Sequence, residues 1–546
     1  MNQLSNLLPR RLHVGMLTLA VAAVVAACGG GDDEPTPVTL TLERIGQYDG
    51  GAAGAAEITA YDASTARLFV VNGANGTVDV LDLADPTKPV KVGTITVGGS
   101  ANSVAAHDGL VAIAVEATPK TNPGSVLLVQ ASDLRVLQTI TVGSQPDMLT
   151  FTPDGKYIVV ANEGEPNSYG LADSVDPEGS ISVITVVRGG QSTVATADFK
   201  AFIGQEAALR EQGVRIFGPG ANAAQDFEPE YVTISADSRT AYVTLQENNA
   251  VAVVDIATAK VTGVKPLGFK DHSLAGMGLD ASDEDGGTNT NSGTPLAKIA
   301  NYPVRGLYLP DAIASYQVGG KTYLITANEG DARADWPGFN EETRVRTHCD
   351  KGLDPTVFPD ATNLIFDSNL GRLRITTTPN GGSTGKNAAG LCTELYSFGA
   401  RSFTIWDTDL KRVFDSGDQL EQRTLNLPNV LFNASNDNNT LDSRSASKGP
   451  EPEGVVVGQI GRKTFAFIGL ERVGGVMVYD VTTPTAPSFV TYLNTRTFAN
   501  SAVGGDRGPE GLAFVPASKS RNGKPLLIVG NETSGTTAIL QLNLSY

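Results

Sequence analysis

The chain repeats a pattern of two short apolar runs joined by a turn, with a carboxylate or amide at the start of the first run. In the clearest copies Asn-Glu ends the second run. These copies run from Asp147 to Glu163, from Asp311 to Glu329 and from Glu510 to Glu532, and the other copies begin at Glu57, Asn102, Glu230 and Glu453. The first three copies begin at evenly spaced positions, 57, 102 and 147, an interval typical of four-stranded propeller blades.

Each repeat continues with a third apolar run, and the early repeats add a fourth, so each repeat predicts a four-stranded antiparallel sheet. The chain ends soon after the third run of the last repeat, and residues 40–48 (LTLERIGQY) precede the first repeat where a fourth strand belongs. We therefore predict an all-β, seven-bladed propeller over residues 39–546, closed by pairing of this N-terminal strand with the last blade. A β-helix and an open sandwich are the alternatives.

The predicted fold places the repeated acids on one face, because consecutive antiparallel strands reverse direction. The acids at the start of strand one are Glu57, Asp147, Glu230, Asp311, Glu453 and Glu510, with Asn102 as the exception. Those at the end of strand two are Glu116, Glu163, Glu247, Glu329, Glu471 and Glu532. Strand one is the innermost strand of a blade, so these groups are expected around one mouth of the central channel. Insertions of about 164–228, 268–308, 330–400 and 422–452 are expected on the same face, with one amphipathic helix over 199–213.

Composition agrees with a single repeat array. Sixty Gly and 29 Pro among 546 residues suit short strands joined by tight turns. The formal net charge of −18 argues against nucleic acid and anionic membrane surfaces as partners, and it is compatible with cation binding. We expect a monomer.

Crowded carboxylates need protonation, a basic neighbour or a bound cation, and we predict a divalent cation, Ca²⁺ first. The candidate ligands at the mouth are Glu163, Glu230, Asp311, Glu329, Glu453, Glu471, Glu510 and Glu532. The candidate basic partners, which are also candidate anion ligands, are Arg333, Lys448, Arg472 and Arg507. Alternatively, backbone N–H groups of neighbouring blades hold these carboxylates, which then only tie the blades together.

A second acidic feature is the segment 280–287 (DASDEDGG), in which Asp283 and Asp285 are candidate metal ligands. Oxygen ligands at alternate positions before Gly suggest a Ca²⁺ loop. Ala281 stands at the first ligand position, however, so the segment does not match an EF-hand loop. The alternative is a solvated polar loop.

The N-terminus resembles a bacterial lipoprotein signal over residues 1–27, with an apolar stretch that ends at Cys28. Cys28 is then the lipidated residue, residues 28–38 form a tether, and the protein is lipid-anchored in the bacterial cell envelope. Gly29, in place of Asp, favours the outer membrane. An ordinary secretory signal with an incidental Cys is the alternative. In an oxidising compartment Cys349 and Cys392 are expected to form a disulfide, with two free thiols as the alternative.

Five longer motifs carry a family resemblance: 327–333 (ANEGDAR), 401–407 (RSFTIWD), 414–418 (FDSGD), 448–454 (KGPEPEG) and 469–475 (GLERVGG). With them the chain resembles the bacterial choice-of-anchor I proteins, which are related to mesenchyme-specific cell-surface glycoproteins of animals. The resemblance implies a secreted or surface-tethered propeller. Some bacterial relatives are described as atypical alkaline phosphatases.

Two hypotheses follow. The first is a lipid-anchored binding protein of the cell envelope, whose acidic mouth binds divalent cations and a surface or small ligand. The second is a metal-dependent phosphomonoesterase, in which the carboxylates hold cations that polarise a phosphoryl group and activate water. In that case Arg333, Arg472 or Arg507 would bind the phosphate oxygens. A quinone-dependent oxidoreductase is a third possibility that no residue requires.

Overall fold

In the computed structural model, the described residues are 39–286, 294–379, 383–499 and 503–545. Their strands form seven four-stranded antiparallel sheets. The first strand of each sheet contacts the first strand of the next, and the first strand of the seventh sheet contacts that of the first. The first strands therefore form a closed inner ring, and the predicted seven-bladed all-β propeller is confirmed.

The blades have the following strands. Blade 1 has Thr59–Asp62, Arg67–Asn72, Thr77–Asp82 and Val90–Thr96; blade 2 has Ser100–His107, Leu110–Glu116, Pro123–Gln130 and Val136–Ser144; blade 3 has Pro146–Phe151, Tyr157–Asn162, Ser180–Thr185 and Thr193–Asp198. Blade 4 has Pro229–Ile234, Thr240–Leu245, Ala250–Asp255 and Lys260–Pro266; blade 5 has Ile313–Val318, Lys321–Ala327, Phe403–Trp406 and Arg412–Asp415. Blade 6 has Pro452–Ile460, Lys463–Leu470, Val476–Asp480 and Ser488–Leu493; blade 7 has Pro509–Val515, Leu526–Asn531, Thr536–Ser545 and, from the N-terminus, Thr39–Asp49.

The N-terminal strand closes the ring as predicted. It pairs antiparallel with the last strand of the chain, from Thr39 opposite Ser545 to Asp49 opposite Thr536. A bulge interrupts this pairing just before Gly46, where an added Cβ would lie 2.3 Å from the carbonyl oxygen of Pro86. Blade 7 thus consists of both ends of the described chain.

The hydrophobic core lies between neighbouring blades, and strand alternation explains it. In the second strand of blade 3, Ile158 and Val160 pack with residues of blade 2, whereas Val159 and Ala161 pack with residues of blade 4. Side chains along a strand point alternately to its two faces, so a strand between two blades needs apolar residues on both. This explains why the second and third apolar runs are continuous in the sequence.

The insertions form a second, smaller sheet that the sequence did not predict. Its strands are, in spatial order, Phe269–Asp271, Arg305–Leu307, Tyr396–Ser397, Arg374–Thr376 and Glu342–Arg344. The second and third of these pair in parallel, and the other pairs are antiparallel. Two further strands, Arg496–Thr497 and Gly504–Gly505, pair with each other. Insertions 268–308 and 330–400 are therefore one structural unit, and not two separate loops.

The helices of the described residues are short. They are the 3₁₀ helix Lys200–Phe202 and the α-helices Glu206–Gln212, Ala223–Asp226, Val345–His348, Ala361–Leu364 and Gln419–Thr424. The prediction of one helix over 199–213 is wrong, because Gly204, with φ of +84°, separates two helical pieces. Gly213 ends the second piece with φ of +103°, as a left-handed C-cap. None of the helices in the described ranges is long and apolar enough to cross a bilayer.

A disulfide joins Cys349 to Cys392, whose Cα atoms lie 5.6 Å apart. Both residues are buried in the apolar core of the small sheet's unit, with Leu353, Phe358 and Leu370. On the loop-entropy model, closing a loop of this length stabilises the folded chain by roughly 4 kcal/mol. The predicted signal peptide, Cys28 and the tether lie outside the described residues.

Candidate functional site: an acidic channel mouth

A Pro-acid pair begins strand one in blades 3, 4, 6 and 7 and lies just before it in blade 5. The pairs are Pro146-Asp147, Pro229-Glu230, Pro310-Asp311, Pro452-Glu453 and Pro509-Glu510. In blades 3, 4, 6 and 7 a bulge interrupts the pairing with strand two just after the Pro. A bulge turns a side chain away from the regular alternation, and Pro has no N–H to lose at the end of a ladder. The repeated dipeptide is therefore a local device for placing an acid at the channel.

These positions converge on one opening. We call Glu57, Asn102, Asp147, Glu230, Asp311, Glu453 and Glu510 the inner ring, and Glu116, Glu163, Glu247, Glu329, Glu471 and Glu532 the outer ring. A cavity within the channel is lined by Asn102, Asp147, Asp311 and Glu510 of the inner ring, together with Tyr231 and apolar neighbours. Blades far apart in the sequence thus contribute to a single space.

The inner-ring carboxylates lie close enough to repel one another. Burial, and after it the charges of Glu532 and Asp147, raise the pKa of Glu57 to about 8. Burial and the charges of Glu165 and Glu116 raise the pKa of Asp147 to about 7. A carboxylate resists ionisation when it loses solvent and faces like charges.

Three further inner-ring acids, Glu230, Glu453 and Glu510, have pKa values well above the usual range. Burial is the largest cause for each. The charges that act on them most strongly after burial are those of other carboxylates in the two rings. The Oε2 atom of each is buried and accepts no hydrogen bond from the described residues. These three oxygens point to a missing positive partner or proton.

Two outer-ring acids, Glu329 and Glu471, accept hydrogen bonds from side-chain amides. Gln246 Nε2 donates to Glu329 Oε2 over 2.9 Å, and this bond joins blade 4 to blade 5. Asn436 Nδ2 donates to Glu471 Oε1 over 2.9 Å. The alternative reading, in which backbone N–H groups hold these carboxylates, does not describe these contacts. The amide–carboxylate bonds nevertheless tie neighbouring elements together. The alternative hypothesis assigned the same structural role to the carboxylates.

Blades 1 and 2 depart from the acidic pattern for visible reasons. Gly73 stands where blade 1 lacks an outer-ring acid, and a Cβ there would lie 2.1 Å from Glu57 Oε1. In blade 2, Asn102 Nδ2 lies 3.5 Å from Glu116 Oε2 and donates to the carbonyl oxygen of Pro146 over 3.2 Å. Gly73 therefore leaves space for the carboxylate of Glu57, and the amide of Asn102 supplies a donor to the carboxylate of Glu116.

Three buried acids, Glu329, Glu451 and Glu471, each place one oxygen within 4.8 Å of the others. Basic groups already compensate this trio. Lys448 Nζ lies 2.6 Å from Glu329, and Arg472 Nε lies 2.8 Å from Glu451 and 3.1 Å from Glu471. The trio is therefore a poor metal site as it stands.

Glu451, which sequence reasoning missed, is the most strongly compensated member of this trio. Burial alone would raise its pKa, but the charges of Lys448, Arg444 and Arg472 outweigh burial and hold the pKa of Glu451 well below its usual range. Glu451 lies in the segment 448–454 between two predicted site residues, Lys448 and Glu453, and that position was the visible signal.

The predicted anion ligands are mostly committed elsewhere. Arg333 is buried and forms ion pairs of 2.8 Å with both Asp226 and Glu228, so it is a basic partner of acids, and its role as an anion ligand stays a prediction. Lys448 and Arg472 pair with acids of the trio, and their role as anion ligands likewise stays a prediction. Arg507 is different, because Nη1 donates to the carbonyl oxygen of Asn436 over 2.9 Å and Nε has no partner among the described residues.

The second acidic feature divides into two parts. Asp283 forms an ion pair with Arg372, whose Nη2 donates to Asp283 Oδ2 over 2.8 Å. A guanidinium therefore already compensates the charge of Asp283, and its role as a metal ligand stays a prediction. Asp285 instead clusters with Asp280 and Asp442. The sequence analysis did not predict this cluster.

These features define a class: a seven-bladed propeller with a carboxylate-lined channel mouth. The choice-of-anchor I domain model matches residues 57–484, and the chain belongs to this family. Membership of this family supports a surface or binding protein of the cell surface or envelope.

Two curated relatives and one solved structure are similar to the chain. Gigasin-3a of Magallana gigas is 31% identical over 32% of this chain and 66% of its own length. The mesenchyme-specific cell surface glycoprotein of Strongylocentrotus purpuratus is 27% identical over 47% of this chain and 35% of its own length. The chain thus spans less than two thirds of either relative. The WD40 domain of Toxoplasma gondii coronin is similar with a TM-score of 0.45 and 10% identity, over 93% of this chain and 87% of that one.

Proposed function

We propose that this chain is an envelope binding protein whose channel mouth binds divalent cations, Ca²⁺ first, and through them a surface or small ligand. The observation that carries the proposal is the set of buried, unpartnered Oε2 atoms of Glu230, Glu453 and Glu510 among other carboxylates. Burying an ionised carboxylate without a partner costs several kcal/mol, which a bound cation offsets.

Ca²⁺ suits this mouth better than a small, strictly octahedral ion does. It accepts six to eight oxygen ligands in irregular geometry. The inner-ring acids are not among the sets of three whose oxygens lie within 4.8 Å of one another in the described residues. An ion held by so open a ring keeps several waters, and oxygen atoms of a ligand can replace them.

Replacing Glu453 and Glu510 together by Gln is expected to weaken Ca²⁺ binding at the mouth by about tenfold or more. Glutamine keeps the size of the side chain but removes the charge that attracts the ion. Isothermal titration calorimetry of Ca²⁺ into the chelated protein measures the change, with Glu211→Gln on the exposed face of a helix as the matched control. Equal Ca²⁺ affinity and stoichiometry in the double variant and the wild type would reject the mouth as a cation site.

The alternative function is the metal-dependent phosphomonoesterase. The observation that favours it is Arg507, whose guanidinium has no carboxylate partner among the described ion pairs. Arg507 donates to the carbonyl oxygen of Asn436, and the side chain of Asn436 donates to Glu471. It has less support than the binding function, because the other three predicted phosphate ligands are paired with acids. Hydrolysis of p-nitrophenyl phosphate that chelation abolishes and Arg507→Gln reduces would favour the enzyme.

We also propose that lipid at Cys28 anchors the protein to the outer membrane and that the propeller acts as a monomer. The small residues before Cys28 and the polar stretch after it support the first point. Cells fed an alkyne-labelled fatty acid are expected to label the wild type and not Cys28→Ser. Equal labelling of both proteins would leave an ordinary secretory signal as the better interpretation.

A further inference from the structure

Three aspartates outside both rings meet where insertions 268–308 and 422–452 come together. Asp280, Asp285 and Asp442 each place one carboxylate oxygen within 4.8 Å of the others. Asp280 is 1% exposed and Asp442 is fully buried, whereas Asp285 lies at the half-buried edge. The protein thus brings together three acids from segments far apart in the sequence and removes two of them from solvent.

The nearby basic groups are occupied elsewhere. Arg372 pairs with Asp283 and Glu284. Arg401 pairs with Glu421 and reaches Asp280 only at its main-chain oxygen. The aspartate trio is therefore not neutralised in the way that the trio of Glu329, Glu451 and Glu471 is.

Among the described residues, Lys298 also lies beside these aspartates. Its side chain is exposed and donates to Asn369 Oδ1 over 3.3 Å, so the ammonium group lies at the surface. Its backbone N–H, however, donates to Asp280 Oδ2 over 2.5 Å. That neutral donor satisfies one oxygen but does not compensate the combined charge of three carboxylates.

Two oxygens of the trio are unpartnered. Ser445 donates to Asp442 Oδ1, and the backbone N–H of Leu296 donates to Asp285 Oδ1 over 3.0 Å. The Oδ2 atoms of Asp442 and Asp285 are buried and accept no hydrogen bond from the described residues. A fully buried aspartate with a bare oxygen, clustered with two other acids, is a costly arrangement unless a positive ion lies among them.

We propose that Asp280, Asp285 and Asp442 form a Ca²⁺ site that holds the two insertions together beside the propeller. Three carboxylate oxygens supply the negative charge that a hard divalent cation requires, and Ca²⁺ completes its coordination with water or main-chain oxygens. The site is structural. It shares no residue with the inner ring, so it stands or falls independently of the channel mouth.

The test uses Ca²⁺ and Tb³⁺ alone as probes of the folded chain. Asp442→Asn and Asp285→Asn are expected to lose one bound ion per chain, or to bind it at least tenfold more weakly. Asp283→Asn is the matched control, because Asp283 pairs with Arg372, and it is expected to keep the ion. Wild-type stoichiometry and affinity in both test variants would overturn the proposal. If Asp442→Asn fails to fold, the ion stoichiometry and affinity of Asp285→Asn, at the edge of the site, decide whether the proposal holds.

Tyrosine neighbours distinguish this site from the channel mouth. Tyr302 packs in one apolar cluster with Leu279 and Ala281, the two residues that flank Asp280, so its ring lies near the trio. Burial, and after it the charges of Asp280 and Asp285, raise the pKa of Tyr302 to about 12. Tyr231 instead lines the channel cavity. Tb³⁺ luminescence excited through tyrosine is expected to fall in Tyr302→Phe and to persist in Glu453→Gln/Glu510→Gln. If Asp285→Asn leaves the Tyr302-dependent emission unchanged, the ion lies elsewhere and the proposal fails.

Discussion

A chain that begins at residue 50 is expected not to form a stable propeller, whereas a chain that begins at residue 39 is expected to fold. The difference is the strand Thr39–Asp49, which forms the fourth strand of blade 7. Its removal exposes the edge of Thr536–Ser545 along its whole length and leaves the ring without its closing pair.

The expected loss in the free energy of unfolding is about 5 kcal/mol or more. Leu40 is buried at 3% exposure, so the truncation removes its hydrophobic contribution to the free energy of unfolding. Arg44 and Gln47 both bond to Asp506, at 2.8 Å and 2.6 Å, and Asp506 is only 4% exposed. Without the strand, that carboxylate loses its basic partner and, among the described residues, keeps only the hydroxyl donors of Thr495 and Thr536.

Thermal unfolding and size-exclusion chromatography of the two truncated chains measure this effect. The chain from residue 50 is expected to aggregate or to melt well below the chain from residue 39. A synthetic peptide of residues 39–49, added during refolding, is expected to restore part of the difference because it can pair with the open edge. Equal melting temperatures for the two truncations would show that the N-terminal strand does not close the ring.

Most of the propeller could be predicted from the sequence, because its determinants are local and repeated. The turn residues and apolar runs recur in each blade, and the missing fourth strand at one end matches a spare strand at the other. The acids at the mouth were predictable for the same reason. Asp147 and Glu510 occupy the same position in their repeats. Once one repeat position is assigned to the channel mouth, the equivalent positions of the other repeats are assigned there too.

The small sheet and the commitments of single charged groups could not be predicted. Its strands are two or three residues long and pair between distant segments, so no periodicity is visible. Asp283 and Asp285 are two residues apart, yet only Asp283 meets Arg372, far along the chain. Arg333 likewise has its partners, Asp226 and Glu228, in a different insertion. Such pairings depend on how the insertions pack, which the sequence pattern does not encode.

The metal-free protein is expected to lose stability as the pH rises from about 5 to about 8. Burial raises the pKa of Glu57 to about 8 and that of Asp147 to about 7. Burial also raises the pKa of Glu247 to about 7, against the opposing charge of Arg333. In the unfolded chain these groups titrate near 4.

The sign follows from proton binding. Between pH 4 and 8 the folded state holds more protons on these acids than the unfolded state does, so raising the pH favours unfolding. The contribution of these acids to the free energy of unfolding is fully present below about pH 4. It is lost as the pH rises through their pKa values in the folded state. The slope is up to about 1.4 kcal/mol per pH unit for each extra proton that the folded state holds. Glu451 has a lowered pKa and acts oppositely, but only below about pH 4.5, outside this window.

Thermal unfolding in a chelator at pH 5, 6, 7 and 8, repeated with Ca²⁺, tests this expectation. Ca²⁺ binds the ionised carboxylates, so it is expected to raise the melting temperature most at pH 8. At a concentration of 100 Kd the stabilisation is about 2.7 kcal/mol for one site. Glu57→Gln is expected to flatten the slope in the chelator, because a neutral amide cannot ionise. A chelated protein whose stability is constant or rises from pH 5 to 8 would mean that the acids of the mouth are compensated without protons or metal.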